Sequence, residues 1–455
     1  MSFKKTMVLW YFLSLESLKN KKNIFFCFIV PTASLIFLGL TQDQRIFSYA
    51  FPAILSLIGI SIGTMNSVDI LMNFKKGKLE SVFLSYKVSR KSSFIAFLLS
   101  SIFIFILFSI ILILISLIFF IGQYWYYLLI ILLPVIIMIF TFVISIVVLN
   151  SIRLSSKTKN IVLNIIFLIF LVFSGSTIPS YILIDKLGTF YRYLGFFFPP
   201  VGFANLCSLI ISNIKNIDVW IYITTILFET ILLIIIAFVF YNKNNRIKIN
   251  ENNFYFKNDS FIWDINKIKI NNKVIIGKNN LEINIGDKVR LIGENGAGKT
   301  IFMDSFLEKI SKKNNVSYIS QEFYSILTLN IGQIIKMFLI LNKINNKDDE
   351  KINKKTVKNI LDKFSIYSVI KKKYSDLSSG EQQKIKMIIA FIQKSNIWFL
   401  DEPMTSLDEE NKNILLEKLN GASKEVIILL ITHAKQEFPK FKKLVLIKGE
   451  ICQQQ

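Results

Sequence analysis

Soft metal ligands are scarce in this chain: one histidine, His433, and three cysteines, Cys27, Cys207 and Cys452, among 455 residues. The cysteines lie far apart, so neither a disulfide framework nor a zinc site is expected. Acidic residues are also few, 31 Asp and Glu against 54 Lys and Arg, and the formal net charge is +23. Such an excess suits either nucleic acid or an anionic membrane surface. The polar C-terminal part has no basic stripe interleaved with aromatics and no helix-turn-helix pattern, and the N-terminal part places its basic residues between apolar runs. Nucleic acid is therefore not an expected partner. Between Ser92 and Ile152 there is no charged residue at all. With 53% hydrophobic residues and a mean hydropathy of +0.50, that absence excludes an ordinary soluble protein.

What the chain does have is divided in two near Tyr241, with apolar residues before it and Lys, Asn, Asp and Glu after it. A membrane span needs about twenty apolar residues. Six runs qualify, over 23–41, 47–67, 93–121, 126–150, 161–184 and 219–241. The long uncharged stretch exceeds one span and divides at Gly122, Gln123, Tyr124 and Trp125 into a tight hairpin. Alternate connecting loops are strongly basic, for example Lys75, Lys76, Lys78, Lys87, Arg90 and Lys91, which places them and both termini on the cytoplasmic side. Residues 1–22 lack the pattern of a cleaved signal peptide; Trp10, Tyr11, Phe12 and Leu13 among lysines suggest a retained helix on the inner membrane surface.

Two membrane features stay open. Residues 174–205, with Gly175, Pro179, Pro199 and Pro200, read either as short re-entrant or interfacial helices on the outer face or as an amphipathic loop. Glu229 falls in the middle of the sixth run, where a carboxylate is costly; it is either functional or a structural glutamate at a dimer interface.

The polar part carries the chemistry. Asp287 to Ile292 reads as a strand, followed by Gly293, Glu294, Asn295, Gly296, Ala297, Gly298, Lys299 and Thr300, and then a helix beginning at Ile301. This is a P-loop in its strand-loop-helix setting. Its backbone amides close around phosphates, Lys299 reaches the terminal ones, and the Thr300 hydroxyl can ligate magnesium. A second apolar run, 396–400, ends in Asp401, Glu402 and Pro403, placing two carboxylates at the C-terminal edge of a buried strand. Asp401 suits a magnesium site and Glu402 the polarisation of an attacking water.

Leu377, Ser378, Ser379, Gly380, Glu381, Gln382 and Gln383 resemble the signature motif of the ATP-binding cassette family. Read without the family, the segment is a serine-capped helix start. The resemblance extends to Gln321, similar to the family's Q-loop glutamine, to Ser406, Leu407 and Asp408, similar to its D-loop, and to His433 after an apolar strand, similar to its switch histidine. It implies ATP and Mg2+ as cofactors. Ser378 and Gly380 would contact the γ-phosphate of nucleotide held by a second cassette, with Ser379, Glu381 and Asp408 in the same nucleotide-binding set. Gln321 would sense magnesium and the membrane domain, and His433 would contact the γ-phosphate. Ser379 and Glu381 depart mildly from the commonest signature. The family's adenine-stacking aromatic should fall near Ile270, where there is none; Trp263 is the alternative stacker.

The expected architecture is an α-helical membrane domain of six helices plus an α/β P-loop NTPase domain. Its parts are residues 1–22 as an interfacial helix, 23–241 as the permease, 242–260 as a linker and 261–455 as the nucleotide-binding domain. Residues 74–80 with 87–90 resemble the inner loop of type V exporter permeases. The signature resemblance implies a half-transporter working as a homodimer or with a related half. The small outer loops favour export, the greasy, aromatic interior suits an amphipathic or hydrophobic cargo, and the Lys, Asn and Ile richness suggests a bacterium, hence its cytoplasmic membrane. An antimicrobial peptide, a drug or a lipid-linked glycan all fit. The alternative from another class is an ATP-dependent membrane sensor that translocates nothing.

Overall fold

The computed structural model describes residues 2–40, 44–66, 79–119, 139, 141, 156–173, 180–196, 198, 201–202, 205–206, 217–243, 247–257, 259–270, 273–312, 314–321, 328–346, 358, 361–362, 364–393, 395–432, 438, 441–447 and 450–454. They fall into two compact units. One comprises Met1–Val8, Asn73–Ser93 and Asn245–Gln455, and the other Leu9–Met72 and Phe94–Asn244.

The second unit is helical. Helix α1 (Phe3–Lys19) enters it; α2 (Lys21–Ile24) runs through a π-helical turn, Phe25–Ile29, into α3 (Val30–Leu40). Helix α4 (Gln44–Ser61) ends in a second π turn, Ile62–Asn66. Cys27, Leu35, Phe51, Leu55, Phe105 and Phe108 belong to one buried cluster there. After α5 (Leu79–Ser85), which belongs to the first unit, come α6 (Arg90–Phe119), α7 (Ser156–Phe173), α8 (Ser180–Leu187), α9 (Thr189–Leu194) and α10 (Ile217–Lys243). Within α6, Arg90–Ser116 is long and apolar enough to cross a membrane, the only such helix among the described residues. Shorter apolar helical stretches occur at Ala53–Thr64, Ile161–Phe170 and Ile221–Ile236. The expected hairpin at 122–125 and most of the fourth expected span lie outside the described residues. Short helices α8 and α9 lie within residues 174–205, the segment read from sequence either as short helices or as a loop.

The first unit holds two sheets. Strands β1 (Ile247–Lys257), β2 (Ser260–Ile270), β3 (Lys273–Ile276) and β4 (Asn279–Asn284) form an antiparallel sheet with β2 paired to the other three. Residues 247–257, inside the expected linker, are thus an ordered strand paired along nearly all of β2. Then follow β5 (Lys288–Gly293), α11 (Lys299–Ile310), β6 (Ser317–Ile319), α12 (Ile331–Asn346), α13 (Ser379–Phe391), β7 (Ile397–Asp401), α14 (Glu409–Asn420), β8 (Ile427–Ile431), β9 (Lys442–Ile447) and β10 (Glu450–Gln454). The six-stranded sheet has the order β10-β9-β5-β8-β7-β6 and is parallel except for β10. Its central strands β7 and β8 are buried along their whole length, as expected of uninterrupted apolar runs in a parallel sheet covered on both faces.

Aromatic stacking ties the two sheets through α11. Trp263 of β2 lies 5.2 Å from Phe306 at 9° between planes, and Phe306 lies 5.3 Å from Phe399 of β7. Trp263 is fully buried in this stack. It is therefore a core residue, which overturns the alternative of Trp263 as an adenine stacker.

Candidate nucleotide site

The loop from β5 to α11 needs glycine at two points for different reasons. Gly298 has φ of +100° at the N-cap of α11, and a Cβ there would lie 2.7 Å from Ile275 Cγ2. Gly293 passes so close to the backbone that a Cβ would sit 2.6 Å from the Leu446 carbonyl oxygen. Both positions exclude a side chain, and the loop can curl tightly enough to point amides at an anion at the helix N-terminus.

A cavity of about 220 Å³ is lined by Asn295, Gly296, Gly298, Lys299, Thr300, Ile301, Gln321, Asp401, Glu402 and Ile431. Four different chain segments thus converge on one site. Gly293, Glu294 and Ala297 line a neighbouring cavity of about 620 Å³, which shares Asn295 and Lys299. The Lys299 ammonium donates to the Gly293 and Glu294 carbonyls at 2.8 and 3.0 Å, within the loop it serves.

Thr300 Oγ1 donates to Asp401 Oδ2 at 3.0 Å. Asp401 is buried at the end of β7. A hydroxyl and a carboxylate side by side form the hard-oxygen pair that magnesium takes alongside phosphate oxygens and waters. The next residue, Glu402, has φ of +51°, in the left-handed region, a conformation that costs on the order of 1–3 kcal/mol and collects at functional sites. Its amide is held by the Ile431 carbonyl at 2.9 Å, which fixes the turn beside β8.

The signature segment is built as a helix start. Ser378 caps α13: its Oγ accepts the Glu381 amide at 3.2 Å, while Glu381 Oε2 accepts the Ser378 amide at 2.8 Å. That backbone hydrogen bond holds the Glu381 carboxyl below its usual range, with Lys372 adding to the effect. Helix α13 then gathers the neighbouring turns. Gln383 Nε2 donates to the Pro403 carbonyl at 2.7 Å, Lys386 Nζ to the Gln321 carbonyl at 2.8 Å, and a Cβ on Gly380 would lie 3.1 Å from the Ser406 carbonyl oxygen. Asp408 caps α14 by accepting the Asn411 amide at 2.9 Å, and its bonds from Asn411 lower its carboxyl pKa.

Ser378, Ser379, Gly380, Glu381 and Asp408 are not among the residues lining the P-loop cavity. The resemblance implies that the signature residues meet nucleotide held by a second cassette, not the cavity of their own chain. His433 lies outside the described residues. Ile431 and Lys386 are additions that the motifs did not flag. Ile431 was signalled only as the end of an apolar strand, and nothing in the sequence marks Lys386.

Residues 276–405 match the family described as ABC transporter. The lipoprotein-releasing system ATP-binding protein LolD of Buchnera aphidicola is 32% identical over 167 residues, 31% of this chain and 72% of LolD. The chain belongs to the ABC transporter family. It carries an ABC ATPase domain whose cofactors are ATP and Mg2+. The glutathione/L-cysteine transport system ATP-binding/permease protein CydD of Haemophilus influenzae is 29% identical over 194 residues, 38% of this chain and 33% of CydD. The chain therefore matches only a third of that relative's length. The bacitracin export ATP-binding protein BceA of Halalkalibacterium halodurans is 26% identical over 214 residues, 41% of this chain and 83% of BceA.

Proposed function

We propose that this ABC family member is a half-transporter: a six-span permease fused ahead of its cassette, working as a dimer to export an amphipathic or hydrophobic substrate across the cytoplasmic membrane. The observation that carries the reading is the place of α5. It lies between apolar runs in sequence, yet it packs into the same compact unit as the cassette. Tyr86, just after α5, donates its hydroxyl to the Ile389 carbonyl of α13, and Gln393 donates to Ser85 Oγ at 3.3 Å. Phe83 and Tyr86 lie against Phe338 of α12, with ring centroids 5.6 and 4.9 Å apart. A segment joining two apolar runs is thereby keyed to the helix that begins with the signature residues.

Dimerisation is supported by the separation of the signature surface from the P-loop cavity. Two copies facing each other would bring Ser378 and Gly380 of one to the phosphates held by the other. Thr300 and Asp401 would hold magnesium, which would supply neutralisation of phosphate charge. Glu402 orients water and accepts its proton, while Lys299 leaves its loop carbonyls for the phosphates. The outer loops expected from the sequence are short, which favours export, and BceA is an export ATP-binding protein. Other relatives act in import, such as the spermidine/putrescine import protein PotA of Fusobacterium nucleatum, so the cassette itself does not choose direction.

The test is ATP hydrolysis by the full chain in lipid nanodiscs, followed by uptake of fluorescent amphipathic peptides, cationic dyes and lipids into inside-out proteoliposomes. ATP-driven accumulation of one class, lost in Glu402→Gln, supports export. Hydrolysis without accumulation of any probe favours the sensor.

A further inference from the structure

Consecutive residues in the last turn of the P-loop helix α11 are each held by an ion pair from a different part of the chain. Glu308 accepts both terminal nitrogens of Arg90, at 3.0 and 3.3 Å. Arg90 opens α6, and its Nε also bonds Glu80 of α5. Lys309 pairs with Glu251 of β1, whose other oxygen accepts the Trp263 indole N–H at 2.8 Å. The four paired side chains are only 20–22% exposed, so salt and water screen them less than an ordinary surface pair.

Chain connectivity gives this arrangement its meaning. Arg90 is the first residue of the long apolar helix α6, and β1 begins at Ile247, shortly after the apolar helix α10 ends at Lys243. Two of the four places where the chain passes from one unit to the other, at 93–94 and 244–245, thus adjoin segments held by neighbouring side chains of one helix turn. The opposite end of that helix starts with Lys299 and Thr300 of the nucleotide cavity. Helix α11 has 12 residues, about 18 Å at 1.5 Å per residue, and Phe302 and Phe306 anchor it in the aromatic stack. A short helix with its hydrogen bonds intact moves as a rod, so a tilt imposed at the phosphate end displaces Glu308 and Lys309 together. Their opposite charges keep the two attachments from exchanging partners.

We propose that α11 is a two-branched transmission element: Glu308 conveys the nucleotide state to residues 79–93 through Arg90, and Lys309 conveys it to β1 through Glu251. Both act as positioning residues and touch neither nucleotide nor metal. The inference needs only that the cassette binds nucleotide, so it stands or falls apart from the transport reading.

Amide hydrogen exchange of the full chain in nanodiscs, with and without the non-hydrolysable analogue AMPPNP and Mg2+, tests it. In the wild type, binding should protect residues 293–301 and alter exchange in both 79–93 and 247–257. Glu308→Gln should lose at least two-thirds of the response in 79–93 and keep that in 247–257; Lys309→Gln should do the reverse. The swap Arg90→Glu with Glu308→Arg should restore the first branch, which a folding defect would not allow. Wild-type responses in both single variants, joint loss of both responses in each, or P-loop protection with no response in either segment of the wild type would overturn the proposal. So would loss of P-loop protection in the single variants, since the residues would then act on binding itself.

Discussion

Thr300 and Asp401, 101 residues apart in sequence, meet through a 3.0 Å hydrogen bond from hydroxyl to carboxylate. The first residue pair of α11 and the end of β7 are thereby fixed at the spacing one small cation can bridge. Thr300→Val keeps the β-branched shape and removes the ligand oxygen. It should leave magnesium-free nucleotide binding unchanged and lower Mg2+-dependent turnover on the order of 10²-fold. Titration of nucleotide with and without a chelator, beside a phosphate-release assay, checks both halves. A loss of binding equal with and without Mg2+ would show that Thr300 acts on the loop instead.

Glu402 follows Asp401 in a left-handed backbone conformation, held by the Ile431 carbonyl. Glu402→Gln preserves size and hydrogen bonding and removes the base. Turnover should fall roughly 10²- to 10⁴-fold, the range of general-base catalysis, with ATP affinity retained. Single-turnover chemistry measured beside equilibrium binding separates the two. A variant that hydrolyses ATP at more than a tenth of the wild-type rate would remove Glu402 from that role.

How much of this was legible in the sequence depends on distance along the chain. The P-loop, Asp401, Glu402 and the signature serine are local patterns: a strand ends, a loop turns, a helix starts, and each step has a residue type that permits it. Strand β1 was hidden because Asn250, Asn252, Asn253 and the lysines around them look like a linker, and only pairing with β2 gives them a sheet. Arg90 and Glu308 are 218 residues apart and Lys309 and Glu251 58 apart, and no periodicity links such partners. Trp263 could be read as an exposed stacker because an aromatic residue does not announce which face of a strand is covered. Its alternation with buried Phe261 and Ile265 was the available signal.

The capping box at α13 gives the signature segment a pH dependence. The folded Glu381 pKa is depressed, chiefly by the Ser378 amide, below an unfolded value of about 4.3. Its stabilisation is therefore fully present above that value and lost as pH falls through the folded pKa. Glu381→Gln keeps an acceptor that does not titrate. The wild-type advantage in thermal unfolding should be constant from pH 8 to 6 and shrink toward pH 3. Ser378→Ala should cost about 0.5–2 kcal/mol at neutral pH, the usual range for a lost N-cap. An advantage that grows on acidification would contradict the box.

Trp263 supplies a test of how the base is held. As a core residue stacked on Phe302 and Phe306, its replacement in Trp263→Leu should cost roughly 2–5 kcal/mol of stability. Nucleotide affinity of the folded variant should stay within about threefold of wild type, whereas a lost base-stacking platform would cost about 1–3 kcal/mol, or roughly 5- to 150-fold. Isothermal titration with ATP below the variant's melting temperature distinguishes the two.

Lys5 reaches from α1 to the end of α5, where its ammonium donates to the Tyr86 and Lys87 carbonyls at 3.2 and 2.9 Å. These carbonyls lie at the negative end of a helix, where a cation is favoured, and Lys87 closes that end with φ of +54°. Burial, with the nearby Lys87 charge, lowers the Lys5 pKa from 10.5 to about 8. Below pH 8 both folded and unfolded forms are protonated, and the cost of a buried charge is carried in full. Between about 8 and 10.5 the unfolded form binds more protons, so stability from this group rises with pH. The difference in melting temperature between wild type and Lys5→Met should therefore move in favour of wild type from pH 7 to 10. A difference that stays flat or moves the other way would mean that Lys5 keeps its proton throughout, the cation's bond to the helix end outweighing burial.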